Sequence, residues 1–494
     1  MENIRLCVSF RASSTGSTKG VLVLVGIVFI VACIIIAPSV LGVILTRNPA
    51  GKCSYIYFFF TNTIQCVIVT DKTSTTTIAP NVTNVFWSFD SDADDMYGVY
   101  NGILQNGAQY ASPTYFQLGF YLTLNRTTND SVIVSSHFLN LTYTSFTIEA
   151  WIYASSLNGD NAIFTQCACS TCQDQCLYLL IRNFKLYMSF MMNDVIGLTT
   201  LTINTWYHVG FVYDYSSQTQ SVYLQGVLDN SKSSAGPYKG GNASIVIGAA
   251  PFSDSAFNGY IDNMKVTTRA KSADEMLTVG TTMVYFSFDG PTLAEDMGPN
   301  KMNGTISNAA AVTGRVGQGI AFNGAPTSYV QLTGMFQLGQ ASRPFSFAFW
   351  IYPYSINGGT LIQVSSTSNS TGWCYSFMGL NYLGQITMLV YNSQPSVLLG
   401  PILPVRTWTH LAETYSNTNG VQMYINGVLY ARSAPVTRSA SNQNDYLNFG
   451  SYVNTYCGPG SNSIYPIAYN GIIDEFYVYR RELSAADVYA LANP

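Results

Sequence analysis

The sequence predicts an all-β protein, two tandem antiparallel β-sandwiches behind an N-terminal transmembrane helix, and three observations carry the prediction. One is an internal repeat. Val85-Phe86-Trp87-Ser88-Phe89-Asp90 returns as Val284-Tyr285-Phe286-Ser287-Phe288-Asp289, Thr205-Trp206-Tyr207-His208 as Thr407-Trp408-Thr409-His410, and Asn258-Gly259-Tyr260-Ile261-Asp262 as Asn470-Gly471-Ile472-Ile473-Asp474. The spacing of about 200 residues is a domain length and not a solenoid period. A second observation is a period of two. Phe146, Ile148, Ala150 and Ile152 alternate with Thr147, Glu149, Trp151 and Tyr153, and Phe345, Phe347, Phe349 and Ile351 alternate with Ser346, Ala348, Trp350 and Tyr352. The first set of each pair belongs to a sandwich core, which leaves a second sheet face carrying a Trp and a Tyr. The third is composition: only 10% of residues are charged while 14% are aromatic, a balance that suits strands better than surface helices.

Residues 1–19 read as a cytosolic tail and 20–46 as a signal-anchor transmembrane helix. Val21 to Leu45 is uncharged between Lys19 and Arg47, long enough to cross a hydrocarbon core. The competing reading, a cleaved signal peptide, calls for a shorter apolar run closed by a small-residue cleavage site. Residues 47–84 read as a juxtamembrane loop around Phe58-Phe59-Phe60 and a Thr-rich stalk. Residues 85–280 and 281–494 are the two repeats, each ending in a short helix with Ser272 or Ser484 as N-cap.

Seven glycosylation sequons, at Asn81, Asn125, Asn129, Asn140, Asn242, Asn303 and Asn369, all follow the span, so their use requires a single-pass type II chain with its C-terminal part extracellular or lumenal. Eight cysteines share that compartment, and an even number there points to disulfides. Cys53 with Cys66 closes a juxtamembrane loop in this reading, and Cys374 with Cys457 staples the second repeat. Cys167, Cys169, Cys172 and Cys176 form two local bridges across a hairpin. Zinc on those four is the alternative, although structural zinc usually draws its cysteine pairs from separated segments. Redox chemistry at Cys169-x-x-Cys172 is another, without a thioredoxin-like strand and helix pattern around it. A formal charge of -4 gives no basic footprint for nucleic acid.

The repeats resemble laminin-G-like, concanavalin A-like jelly-roll domains, in two tandem copies over 85–494. The second copy carries more of the pattern: Phe288-Asp289, Gly317-Gln318-Gly319-Ile320-Ala321-Phe322-Asn323-Gly324, Phe347-Ala348-Phe349-Trp350-Ile351, Trp408-Thr409-His410, Tyr424-Ile425-Asn426-Gly427 and Asn470-Gly471-Ile472-Ile473-Asp474-Glu475. The first departs at the glycine-rich segment, where Tyr115-Phe116-Gln117-Leu118-Gly119 stands. Related families hold a structural calcium on an Asp of the last strand with backbone carbonyls. The resemblance therefore makes Asp90, Asp262, Asp289 and Asp474 candidate Ca²⁺ ligands, against a reading in which they cap turns and accept backbone N–H bonds. An EF-hand starting at Asp90 fails, because Asp95 stands where the loop needs Gly and Asn101 where it needs Glu.

The fold hosts lectins, adhesion modules and glycosidases alike, so the residues must choose. Retaining glycosidases on this sandwich place paired carboxylates about 5 Å apart on one strand. Glu149 stands alone on its strand face, and the second copy has Ala348 there. No catalytic residue is assigned. His208 and His410 read as structural histidines packed beside Trp and bonded to backbone. The expected function is non-catalytic recognition or adhesion at the cell surface, binding a glycan or an extracellular protein, with avidity if both copies bind. A self-associating structural surface or matrix component is the alternative, and a polysaccharide-acting enzyme a distant third. The ligand-binding residues are left unassigned.

Overall fold

The computed structural model describes residues 83–494 apart from 113–118, 454–456 and 458–462. The tail, the span at 20–46, Cys53, Cys66, the stalk and Asn81 lie outside the described residues. Among the described residues no helix is long and apolar enough to cross a membrane. Thr83–Pro494 form one compact unit containing two sandwiches.

In the first sandwich one sheet runs in the order Val227–Lys232, Thr219–Leu224, Trp206–Asp214, Phe146–Ala154, Gly259–Thr267, Tyr121–Leu124, Gln109–Ala111, with Asn84–Trp87 also pairing to Gly259–Thr267. The facing sheet has seven strands, with Asn161–Cys167 at its centre. The second sandwich repeats the plan: Val428–Arg432, Gly420–Ile425, Thr409–Ser416, Phe345–Pro353, Asn470–Tyr479, Gln318–Asn323, Ala309–Thr313, with Thr282–Phe286 on Asn470–Tyr479, again over seven strands. All pairings within these sheets are antiparallel. The alternating apolar sets fill the two cores as their period requires: Phe146, Ile148, Ala150 and Ile152 in one, Phe345, Phe347, Phe349 and Ile351 in the other.

The repeated Phe-Asp pair has a physical reason. Phe89 and Phe288 adopt φ of 62° and 61°, costly for a bulky side chain, and both are held there by full burial in their cores. That turn presents Asp90 and Asp289 to the loop opposite, where they accept hydrogen bonds from the main-chain N–H of Phe120 at 2.9 Å and Gln318 at 2.6 Å. The preceding residues, Gly119 and Gly317, have φ of 73° and 54°, and a Cβ on either would collide with the carboxylate. Gly119 is therefore the counterpart of Gly317, so the first copy's departure at the glycine-rich segment keeps this glycine. A β-bulge also recurs, beside Trp151 and Trp350, with Asn263 and Glu475 at positive φ.

Both terminal helices, Ala273–Thr281 and Ala485–Leu491, are closed by capping boxes. Ser272 Oγ accepts from Glu275 N at 3.1 Å while the Glu275 carboxylate accepts from Ser272 N at 2.8 Å, and Ser484 with Asp487 repeats the exchange. Each helix covers one end of its sheet's second face, through Met276 on Val212 and Tyr223 and through Val488 on Ala348, Ala412 and Tyr424.

Candidate functional site

The second face of each large sheet is where the copies diverge. Along it, below the terminal helix, come a Trp and His pair, an Asp beside the bulge, and then an aromatic end. Trp151 meets His208 edge-on at 5.5 Å and Trp350 meets His410 at 5.3 Å. Burial drives both imidazoles below the ordinary histidine range, His410 to about 4. The rings are held by this contact rather than by the expected backbone hydrogen bond, since Nδ1 of each lacks a partner.

In the first sandwich that face is closed. Arg480, from the second sandwich, stacks over Trp151 at 3.9 Å and donates through Nε to Gly280 O at 2.7 Å, and Trp151 joins the second core. Lys265 reaches Pro299 O at 3.0 Å. Glu149 is pinned by Lys271 at 2.6 Å, with 3% of its side chain exposed, so it serves as an ion-pair partner. At the aromatic end, Tyr260 stacks on Tyr153 with ring centroids 5.0 Å apart and lies 4.4 Å from Tyr121, with Trp206 at 5.6 Å from Tyr153. Four rings fill the space.

In the second sandwich the same end is open. The register places Ile472 opposite Tyr352, where the first copy has Tyr260 opposite Tyr153, and Gly319 takes the place of Tyr121. The result is a cleft of about 490 Å³ bordered by Val312, Thr313, Gly314, Tyr352, Tyr354, Arg406, Trp408 and Ile472, none of them a carboxylate. Tyr352 lies 5.3 Å from Trp408 and 5.9 Å from Tyr354. Tyr354 replaces Ser155, and Arg406 replaces Asn204 in the same turn, where each main-chain N–H donates to a strand carbonyl, Pro353 O or Ala154 O. The sequence reading placed a Trp and a Tyr on this face and missed Tyr354 and Arg406. Their difference from Ser155 and Asn204 was the available signal.

The four aspartates fall into two pairs with different surroundings. Asp474 accepts from Arg315 N at 2.6 Å, Val316 N at 2.9 Å and Glu475 N at 2.8 Å, and burial lifts it to about 6 against those bonds. Together with the Asp289 bond to Gln318 this is a turn-capping arrangement, with amide hydrogens where a cation would need free lone pairs. Asp262 differs. It is 1% exposed, neither oxygen completes a hydrogen bond, and burial with the nearby Asp90 charge pushes it well above the carboxylate range, against a smaller pull from Asn263. Two buried hard oxygens beside a second carboxylate fit a cation such as Ca²⁺, although no group of three or more His, Cys, Asp or Glu side chains comes together among the described residues.

The hairpin cysteines are paired Cys167 with Cys176, which face each other across adjacent strands, and Cys169 with Cys172, while Cys374 pairs with Cys457. All six described sequon asparagines, Asn125, Asn129, Asn140, Asn242, Asn303 and Asn369, are exposed.

Two antiparallel sheets stacked face to face in each sandwich define a tandem jelly roll, with the cleft on one outer face of the second copy. A laminin G-type family model of the concanavalin A-like lectin/glucanases superfamily matches residues 126–276 and 323–489, well over half of the chain, and the chain belongs to that family. Among solved structures, the binding domain of Paraclostridial Mosquitocidal Protein 1 is similar over 81% of this chain and 91% of its own at 14% identity, with a TM-score of 0.35. Domain 4 of a GH43 extracellular arabinanase from Geobacillus stearothermophilus, in complex with arabinotriose, is similar over 43% of this chain and 98% of its own at 21% identity, TM-score 0.31. Domains LG4-5 of the mouse laminin alpha1 chain are similar over 71% and 88% at 12% identity, TM-score 0.24. These are likenesses of fold. No curated protein sequence matches the chain.

Proposed function

We propose that this is a single-pass cell-surface recognition protein whose second sandwich binds a short run of glycan in the Tyr352–Trp408 cleft, without cutting it. The observation that carries the reading is the open aromatic cleft itself. Its volume is in the range of small-ligand sites, and Tyr352, Tyr354 and Trp408 offer flat apolar surface with polar edges, the chemistry that a sugar's C–H face and hydroxyls require. The bordering residues supply no carboxylate pair for glycosidic cleavage. The first sandwich contributes structure in this reading: its equivalent cleft is filled by Tyr121 and Tyr260, and its Trp151 is sealed by Arg480. We further propose that calcium, where bound, sits with Asp90 and Asp262 as a structural ion.

A glycan array probed with the full chain tests the function. Binding that falls at least tenfold in Trp408→Ala, about 1.4 kcal/mol, and is unchanged in Phe184→Ala, an exposed aromatic of the first sandwich, is the expected result. Concentration-dependent self-association without any glycan binding would favour the structural alternative, and hydrolysis of a bound oligosaccharide the enzyme.

A further inference from the structure

Among the residues bordering the cleft the charged one is a cation, Arg406, and the copy whose cleft is filled has Asn204 in its place. Arg315, next to bordering Gly314, lays its guanidinium over Trp350 at 4.9 Å. Among the described residues neither guanidinium has an ion-pair or hydrogen-bond partner. The nearest acids are already engaged: Asp474 holds three main-chain N–H groups, and Glu475 accepts from the Tyr285 and Tyr477 hydroxyls at 2.9 and 3.1 Å. The backbone adds an independent sign. Arg406 sits at φ 54°, a left-handed conformation in which Asn is at ease and a long side chain is not, and the first copy has Asn204 there at φ 56°. From this turn the Arg406 guanidinium reaches the cleft border, where the first copy carries the residue type that the backbone prefers. Two residues before the shared glycine, Arg315 answers to Gln117 in the first copy.

We propose that the cleft selects an acidic saccharide, one carrying a carboxylate or a sulfate, with the sugar ring on Trp408 and Tyr352 and the anion paired to Arg406 and Arg315. Planar, permanently charged guanidinium groups match both oxyanions through paired N–H donors. The attraction is local, since the whole chain carries a formal charge of -4 and offers no general field for polyanions. This inference rests on the glycan reading of the same cleft.

The test is calorimetric titration of the full chain in detergent with size-matched neutral, uronate-bearing and sulfated oligosaccharides, at about 50 and 300 mM salt, which brackets a Debye length of about 10 Å. At least tenfold tighter binding of one acidic class than of the neutral sugar is expected. Arg406→Asn, which installs the residue this backbone prefers and should fold without strain, is expected to erase that margin while leaving neutral-sugar binding in place. Arg315→Gln alone should erode the margin in part, and Trp408→Ala should remove binding of every sugar. The uronate and sulfate arms tell which anion is read. An acidic preference that survives Arg406→Asn with Arg315→Gln, or equal binding of polyaspartate, would overturn the proposal and leave the glycan reading standing. Binding of no saccharide at all would overturn both.

Discussion

Glu413 is a carboxyl group in a hydrophobic core. Its strand pairs it with Phe347, and the first sandwich has Phe211 at the corresponding place, opposite Ile148. It is fully buried, both its oxygens lack hydrogen-bond partners, and burial holds it well above the ordinary range, against the pull of Arg438. Arg438 spends its own donors elsewhere, on Leu338 O and Gln340 O at 2.7 Å each, between the rings of Phe345 and Phe377. Folded Glu413 therefore keeps a proton that the unfolded chain, with an ordinary value of 4.5, releases as pH rises. The stability it contributes is intact below about pH 4.5 and is lost as pH climbs toward the folded value, at about 1.4 kcal/mol per unit. The penalty therefore grows with pH above about 4.5 for as long as the folded carboxyl keeps its proton. Glu413→Gln keeps the shape and removes the titration. Urea unfolding of both proteins from pH 4 to 8 should show them within about 1 kcal/mol at pH 4 and diverging upward, with Gln the more stable. Their difference isolates Glu413 from Asp445 and Asp474, which titrate in the same window because burial lifts each to about 6. Parallel curves across the range would refute the reasoning, because they would mean that Glu413 is ionised when folded and paired to Arg438.

Three further outcomes are expected. Excess calcium should raise the melting temperature, and Asp262→Asn should abolish the rise while Asp474→Asn does not; an equal rise in both variants would sink the Asp90 and Asp262 assignment. Replacing Cys374 and Cys457 together by Ala should cost about 2–4 kcal/mol in urea unfolding, since their bridge closes a chain segment with a separation of 83 residues. Ser484→Ala should cost about 1 kcal/mol, and a Ser484→Asp variant that restores the acceptor should recover most of it.

The parts of this molecule that follow from short-range chemistry were legible in the sequence. Strand faces follow from a period of two, so Phe146 to Ile152 and Phe345 to Ile351 could be assigned inward without coordinates. The Ser272 and Ser484 caps follow from which groups a helix start leaves unbonded. The cleft was not legible, for a physical reason. Its openness depends on side-chain volume on three neighbouring strands, where Ile472 and Gly319 leave the space that Tyr260 and Tyr121 fill, and those residues become neighbours only once the register is known. Arg406 and Tyr354 sit outside the strands, where no periodicity speaks. Asp262 and Asp474 looked equivalent in the repeat, and only the structure shows that Asp474 accepts three main-chain N–H bonds while neither oxygen of Asp262 completes one.

Duplication here argues for division of labour rather than avidity. Two binding copies would gain from effective concentration only if both faces were open, and the geometry spends one of them on holding the pair together. Arg480 over Trp151 uses in the first sandwich the surface that Arg315 over Trp350 leaves facing outward in the second. The same indole thus carries an arginine of the other sandwich in one copy and an arginine of its own sandwich in the other. A second site is therefore two substitutions away in principle. Tyr121→Gly with Tyr260→Ile should open the first cleft, yet it would lack Arg406, having Asn204, and Tyr354, having Ser155. The expected result in titration is a stoichiometry that stays at one for an acidic oligosaccharide, with a weak second event for a neutral one. A second site of equal affinity would mean that the aromatic platform alone, without the arginines, carries the binding.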